Sequence, residues 1–193
     1  MLLHIHPTAD EVLHHLAQHF VELASQAIAA RGRFAVALSG GSSPRKLYKL
    51  LASPAYREKV GWEKVYFFFG DERNVPPTDA ESNNSMAMTV LPAPLSIAPV
   101  QVFAVGTSRP PAGAARAYTQ TTKAFWDPNE PHFDLVLLGL GDNSHTASLF
   151  PHTAVLHNAS VGAREVFVEE KQAYRITLTA PLINQSRVVA FLV

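Results

Sequence analysis

Short apolar runs alternate along this chain with longer stretches whose apolar residues recur every three to four positions. The first periodic stretch carries Leu13, Leu16, Ala17, Phe20, Leu23, Ala24, Ala27 and Ile28, a helical stripe. Thr8-Ala9-Asp10-Glu11 has the form of a capping box at its start, and Arg31-Gly32 marks its end. Phe34–Leu38 and Val65–Phe69 are too short for helices and apolar throughout, the pattern of strands buried on both faces. Between them, Leu47, Tyr48, Leu50 and Leu51 predict a helix with Ser43 as N-cap and Pro44 at its first position. Further on, the pattern predicts a helix through Met86, Ala87 and Val90, a strand at Val102–Val105 and a helix over Ala112–Phe125. Asp134–Leu138 reads as another buried strand, followed by a polar turn and a helix-like run from Thr146 to Phe150. Arg164–Val168 and Tyr174–Thr179 then read as strands, the second alternating as at a sheet edge or on a solvated face. A helical turn over Pro181–Gln185 precedes a last buried strand, Val188–Val193.

Strands alternating with helices predict an α/β fold with a doubly wound, mostly parallel sheet. Three of the strands run into polar turns: Ser39–Pro44, Gly70–Arg73 and Gly139–His145. Carboxyl ends of parallel strands share one edge of the sheet, so these distant segments are expected to meet there.

Composition narrows the classes of function. The 193 residues are 47% hydrophobic and 17% charged, as expected of a folded globular chain. Sixteen basic and sixteen acidic residues cancel, leaving no global field to gather nucleic acid or an anionic membrane. Cysteine is absent, which excludes disulfides and thiolate chemistry. No run approaches the ~20 apolar residues of a membrane span, and the opening residues lack a leader pattern, so the expected location is the cytoplasm. None of the nine histidines has the spacing of a known metal site, and no cofactor is expected.

The candidate chemistry sits in the three turns. His145 is the side chain there that exchanges a proton near neutral pH. Gly40 and Gly41 precede a helix N-terminus, where backbone N–H groups and the helix dipole favour an anion. The loop lacks the spacing and lysine of a P-loop, so a sugar phosphate suits it better than a nucleoside triphosphate. Asp71, Glu72 and Arg73 directly after so apolar a strand point to a cleft.

With these segments in view, the chain resembles the 6-phosphogluconolactonases. The matching runs are Ser39-Gly40-Gly41-Ser42-Ser43-Pro44, Phe69-Gly70-Asp71-Glu72-Arg73 with Ser82-Asn83, and Leu138-Gly139-Leu140-Gly141 through His145-Thr146-Ala147-Ser148-Leu149-Phe150-Pro151. Arg175-Ile176-Thr177-Leu178-Thr179 and the closing strand also match. The resemblance implies hydrolysis of a six-membered sugar-phosphate lactone. His145 would activate water, and Gly40, Gly41, Ser42, Asp71, Arg73 and Arg175 would bind the substrate and its phosphate. Glucosamine-6-phosphate deaminases share the fold, but they usually carry Tyr at the place of Arg73 and a run ending in Asn-Glu-Pro where this chain has Leu149-Phe150-Pro151. A catalytically weak sugar-phosphate binder is the other alternative. Two departures stand out. Asn143-Ser144 replaces the family's Asp-Gly, so the residue beside the catalytic histidine orients it without supplying charge. The family's Gly-Lys turn and final helix do not follow the last strand, so the expectation is one domain over 1–193 without them. The resemblance does not say whether the protein self-associates.

Overall fold

The computed structural model describes residues 2–193. Its centre is a four-stranded parallel sheet built from β1 (Phe34–Leu38), β2 (Val65–Phe69), β4 (Leu135–Leu138) and β7 (Val189–Phe191), in the order β2-β1-β4-β7. Beside it lies a three-stranded antiparallel sheet of β3 (Asp71–Arg73), β6 (Ala173–Leu178) and β5 (Ala163–Val168), with β6 in the middle. The parallel sheet is the expected one. The antiparallel sheet corrects two expectations: Gly70–Arg73 is not a turn, and the alternating segment around Arg175 is a central strand. The chain changes sheet at Gly70, whose N–H donates to Leu38 O (2.8 Å) and whose carbonyl accepts from Leu178 N (2.8 Å).

Helices α1 (Ala9–Arg31) and α2 (Ser42–Leu51) pack together on one face of the parallel sheet, and α4 (Pro111–Trp126) covers the other. Alternation along β2 explains the division. Phe67 stacks on Trp62, which touches Phe20 of α1. Phe68, one residue on, points the other way, into Phe125 and Trp126 of α4. The N-cap of α1 is as expected, Thr8 accepting from Glu11 N, and Gly32 closes the helix at φ 74°. The remaining helices are α3 (Asn83–Val90) and α5 (Ala180–Asn184).

Other expectations need correction. Helix α2 begins at Ser42 with Gly41 as N-cap, so Ser43 caps nothing and Pro44 lies at the third position. The positive φ of Gly41 (105°) turns the chain into the helix earlier than a Ser cap would. Proline fits there because first-turn N–H groups have no intrahelical partner. Val102 makes one parallel bridge to Phe67, and no strand follows. Thr146–Phe150 is a tight turn closed by a Thr146–Leu149 bridge; the Thr146 hydroxyl bonds the Gly139 carbonyl and the Ser148 hydroxyl bonds Asp71, in place of bonds within a helix. Strand β7 is an edge strand, with Phe191 half exposed, not a buried one.

At the amino ends of the parallel strands, Asp134 ties three elements together. Its carboxylate accepts from Ala35 N (2.8 Å) and pairs with Arg31 (2.6 Å) and Arg187 (3.4 Å). Asp134→Ala is expected to cost about 2 kcal/mol in urea unfolding. Most of that comes from orphaning the buried Ala35 N–H, since both arginines stay partly solvated.

Candidate active site

Two buried tyrosines finish the strands that reach the site. The Tyr48 hydroxyl accepts from Ser39 N (2.9 Å) and donates to Ser39 O (2.8 Å) at the end of β1. Tyr118 does the same for Phe69 N (2.7 Å) and O (3.1 Å) at the end of β2. Burial pushes both phenols up from their ordinary pKa, so they stay protonated donors. The strand ends are thereby fixed where the ladder stops.

Beyond them opens a cleft of about 270 Å³. Gly40, Gly41 and Ser42 line it from the α2 loop, Asp71 and Arg73 from β3, His145 from the loop after β4, and Arg175 from β6. Seven of the eight residues singled out from sequence therefore share one cavity. The eighth, Asn143, is exposed and reaches the cleft only through His145.

The antiparallel register explains the charged wall. Asp71 lies opposite Thr177 and Arg73 opposite Arg175, so all four project to one face, while Glu72 projects to the other. On that far side Glu72, 1% exposed, accepts from the backbone N–H groups of Arg73, Asn83 and Asn84 and from the Ser82 hydroxyl. Burial raises its pKa, and these donors, chiefly the first-turn amides of α3, oppose the shift. Glu72 thus anchors α3 and takes no part in the cleft.

Asp71 is held from three sides. Ser148 Oγ donates to Oδ2 (2.7 Å), Asn83 Nδ2 donates to Oδ1 (3.2 Å), and the Arg175 guanidinium lies 3.7 Å from Oδ2. Asn83 also packs so closely on Gly40 that a Cβ there would overlap its amide. Sequence reading missed the parts played by Ser148 and Phe150. Both are local on the chain to His145, but the register that brings Ser148 to Asp71 leaves no local signal.

His145 sits in a slot. One face of its ring stacks on Phe150, with centroids 4.1 Å apart and planes 15° from parallel. Gly141 stands where any Cβ would overlap the imidazole. Asn143 Oδ1 lies 2.5 Å from Nδ1. An amide oxygen accepts, so Nδ1 carries the proton and Nε2 keeps its lone pair. Burial, then the charge of Arg175, holds the imidazole pKa below its ordinary 6.5; Asp71, Glu170 and Asp142 oppose this. Just before the histidine, Ser144 has φ 64°, a conformation glycine adopts without strain. Gly141→Ala is expected to displace the imidazole, and a reacting group moved by about 1 Å loses roughly 10² in rate, with the circular dichroism spectrum unchanged.

Arg175 is nearly buried, its guanidinium 5.6 Å from the Phe150 centroid. Arg73 donates to the Glu81 carbonyl through Nη1, while its Nε is buried without a protein partner. No side chain caps α2, whose N-terminus faces the cleft beside these two arginines. Among the described residues, no group of three or more His, Cys, Asp or Glu could hold a metal ion. No helix among them is long and apolar enough to cross a membrane.

Fold and cleft together define an α/β protein in which a histidine and two arginines line one cleft at the carboxyl edge of the parallel sheet. A family model described as glucosamine-6-phosphate isomerases/6-phosphogluconolactonase matches residues 7–193. The chain belongs to that family. It is 43% identical over 172 residues to a 6-phosphogluconolactonase of Nostoc sp., covering 86% of this chain and 69% of the relative. It is 41% identical over 174 residues to a 6-phosphogluconolactonase of Synechocystis sp., covering 88% and 70%. The solved structure of 6-phosphogluconolactonase from Trypanosoma cruzi superimposes with a TM-score of 0.84 at 28% identity, over 97% of this chain and 77% of that one.

Proposed function

We propose that this chain hydrolyses 6-phosphoglucono-1,5-lactone to 6-phosphogluconate, with His145 as general base. The observation that carries the reading is an imidazole with Nδ1 against the Asn143 amide oxygen and Nε2 without a protein partner, lining one cleft with Arg73, Arg175 and the α2 N-terminus. The relatives' activity supports the same substrate.

A lactone is an activated ester, so the demand on the protein is modest. Nε2 takes a proton from water as the water attacks the carbonyl carbon. The tetrahedral intermediate collapses with cleavage of the ring C–O bond, and the imidazolium returns the proton to the departing ring oxygen. Asn143 keeps the tautomer that leaves Nε2 free. Arg73 and Arg175 offer planar forks for phosphate oxygens. Backbone N–H groups of Gly40, Gly41 and Ser42 offer donors to the phosphate or to the developing oxyanion. Asp71 holds Arg175 in place and balances its charge. The test is turnover of freshly generated lactone, corrected for spontaneous opening. A rate no higher than background would end this reading.

A further inference from the structure

We infer that Ser39 is a substrate-binding residue, its hydroxyl reserved for a hydroxyl of the sugar. The assignment rests on the lactonase reading. Ser39 is the first residue past β1 and lines the cleft with His145, Arg73 and Arg175. It is 6% exposed, yet its Oγ is buried with no hydrogen-bond partner in the protein. A hydroxyl so placed costs free energy unless something else bonds to it.

Its neighbours on the chain and the cleft's carboxylate are otherwise occupied. Both Ser39 backbone groups are committed to Tyr48, which holds the residue in one position. Asp71, the one carboxylate lining the cleft, is already engaged by Ser148, Asn83 and Arg175. The next two residues are glycines, and Gly40 has no room for a side chain against Asn83. Before Ser42, then, Ser39 carries the only side-chain hydrogen-bonding group that the β1 loop presents. A hydroxyl both donates and accepts, which matches the hydroxyls of a sugar better than a phosphate, an acceptor alone. A site that leaves a buried polar group unpaired in the free state discriminates against ligands lacking its complement. Ser39 therefore selects for the polyhydroxylated ring, while the arginines select for the phosphate.

The test compares wild type with Ser39→Ala in two measurements. In lactone hydrolysis the variant is expected to lose about tenfold in kcat/KM, one neutral hydrogen bond. Its melting temperature without ligand should be unchanged or higher, because a buried unpaired hydroxyl has been removed. The increase in Tm produced by saturating 6-phosphogluconate should be smaller than in wild type. Unchanged kcat/KM, or a lowered ligand-free Tm accompanying the loss, would overturn the assignment, the latter marking Ser39 as a structural hydroxyl. If wild type itself shows no turnover, the lactonase reading falls. The Ser39 assignment is then decided by the thermal shifts: equal shifts in both proteins overturn it, and a smaller shift in the variant upholds it.

Discussion

His145→Ala is expected to lower kcat for lactone hydrolysis by 10² to 10⁴, the usual contribution of a general base. The fold should be retained, because the histidine stands in a surface loop and its main stacking partner, Phe150, is itself held in the core. Steady-state kinetics on wild type and variant, with thermal melts of each, separate lost chemistry from lost folding. The pH profile gives a second reading. In the proposed mechanism the neutral imidazole is the active form, so protonation removes activity as pH falls through its pKa. Burial and Arg175 hold that pKa below 6.5, so the acid limb of kcat/KM should lie below pH 6.5, with a plateau at neutral pH. A limb above 6.5 would mean that the charged form of His145 is favoured, contrary to its surroundings.

Arg175→Met should raise KM by roughly 10², the cost of removing one nearly buried charge from the proposed phosphate site. It should also move the acid limb. Arg175 is the main charge that lowers the His145 pKa, and its removal leaves Asp71 unneutralised in the same cleft. Both changes favour the imidazolium, so the limb must shift to higher pH. A raised KM with an unmoved limb would show that Arg175 binds substrate without coupling to the base. Methionine keeps the contact with Phe150, so the slot around His145 should survive the substitution.

Much of this was legible along the chain because the patterns concerned are local. The all-apolar runs at Phe34–Leu38, Val65–Phe69 and Leu135–Leu138 are too short for helices and read as strands covered on both faces. Such strands demand helices above and below, which determines the parallel core. Three of the segments that form the cleft wall were visible for the same reason: each polar turn or charged triplet follows one of these strands directly. The tautomer of His145 was also half written in the sequence, since Asn143 stands two residues away.

The tertiary structure decided what pairing across the chain alone can decide. Asp71-Glu72-Arg73 reads as one charged cluster, but as a strand it splits, two side chains to the cleft and Glu72 to the α3 N-terminus. Thr146–Phe150 has a helix-like pattern, yet its hydroxyls find Gly139 and Asp71 first. Along the chain Ser39 is only the first residue of a polar turn, and packing alone left its hydroxyl buried without a partner. The sequence by itself determined the layers and the polar strand ends, because periodicity and burial are set by neighbours on the chain. Register, and with it which charges face one another, depends on residues about a hundred positions apart, and that was settled only when the two sheets met at Gly70.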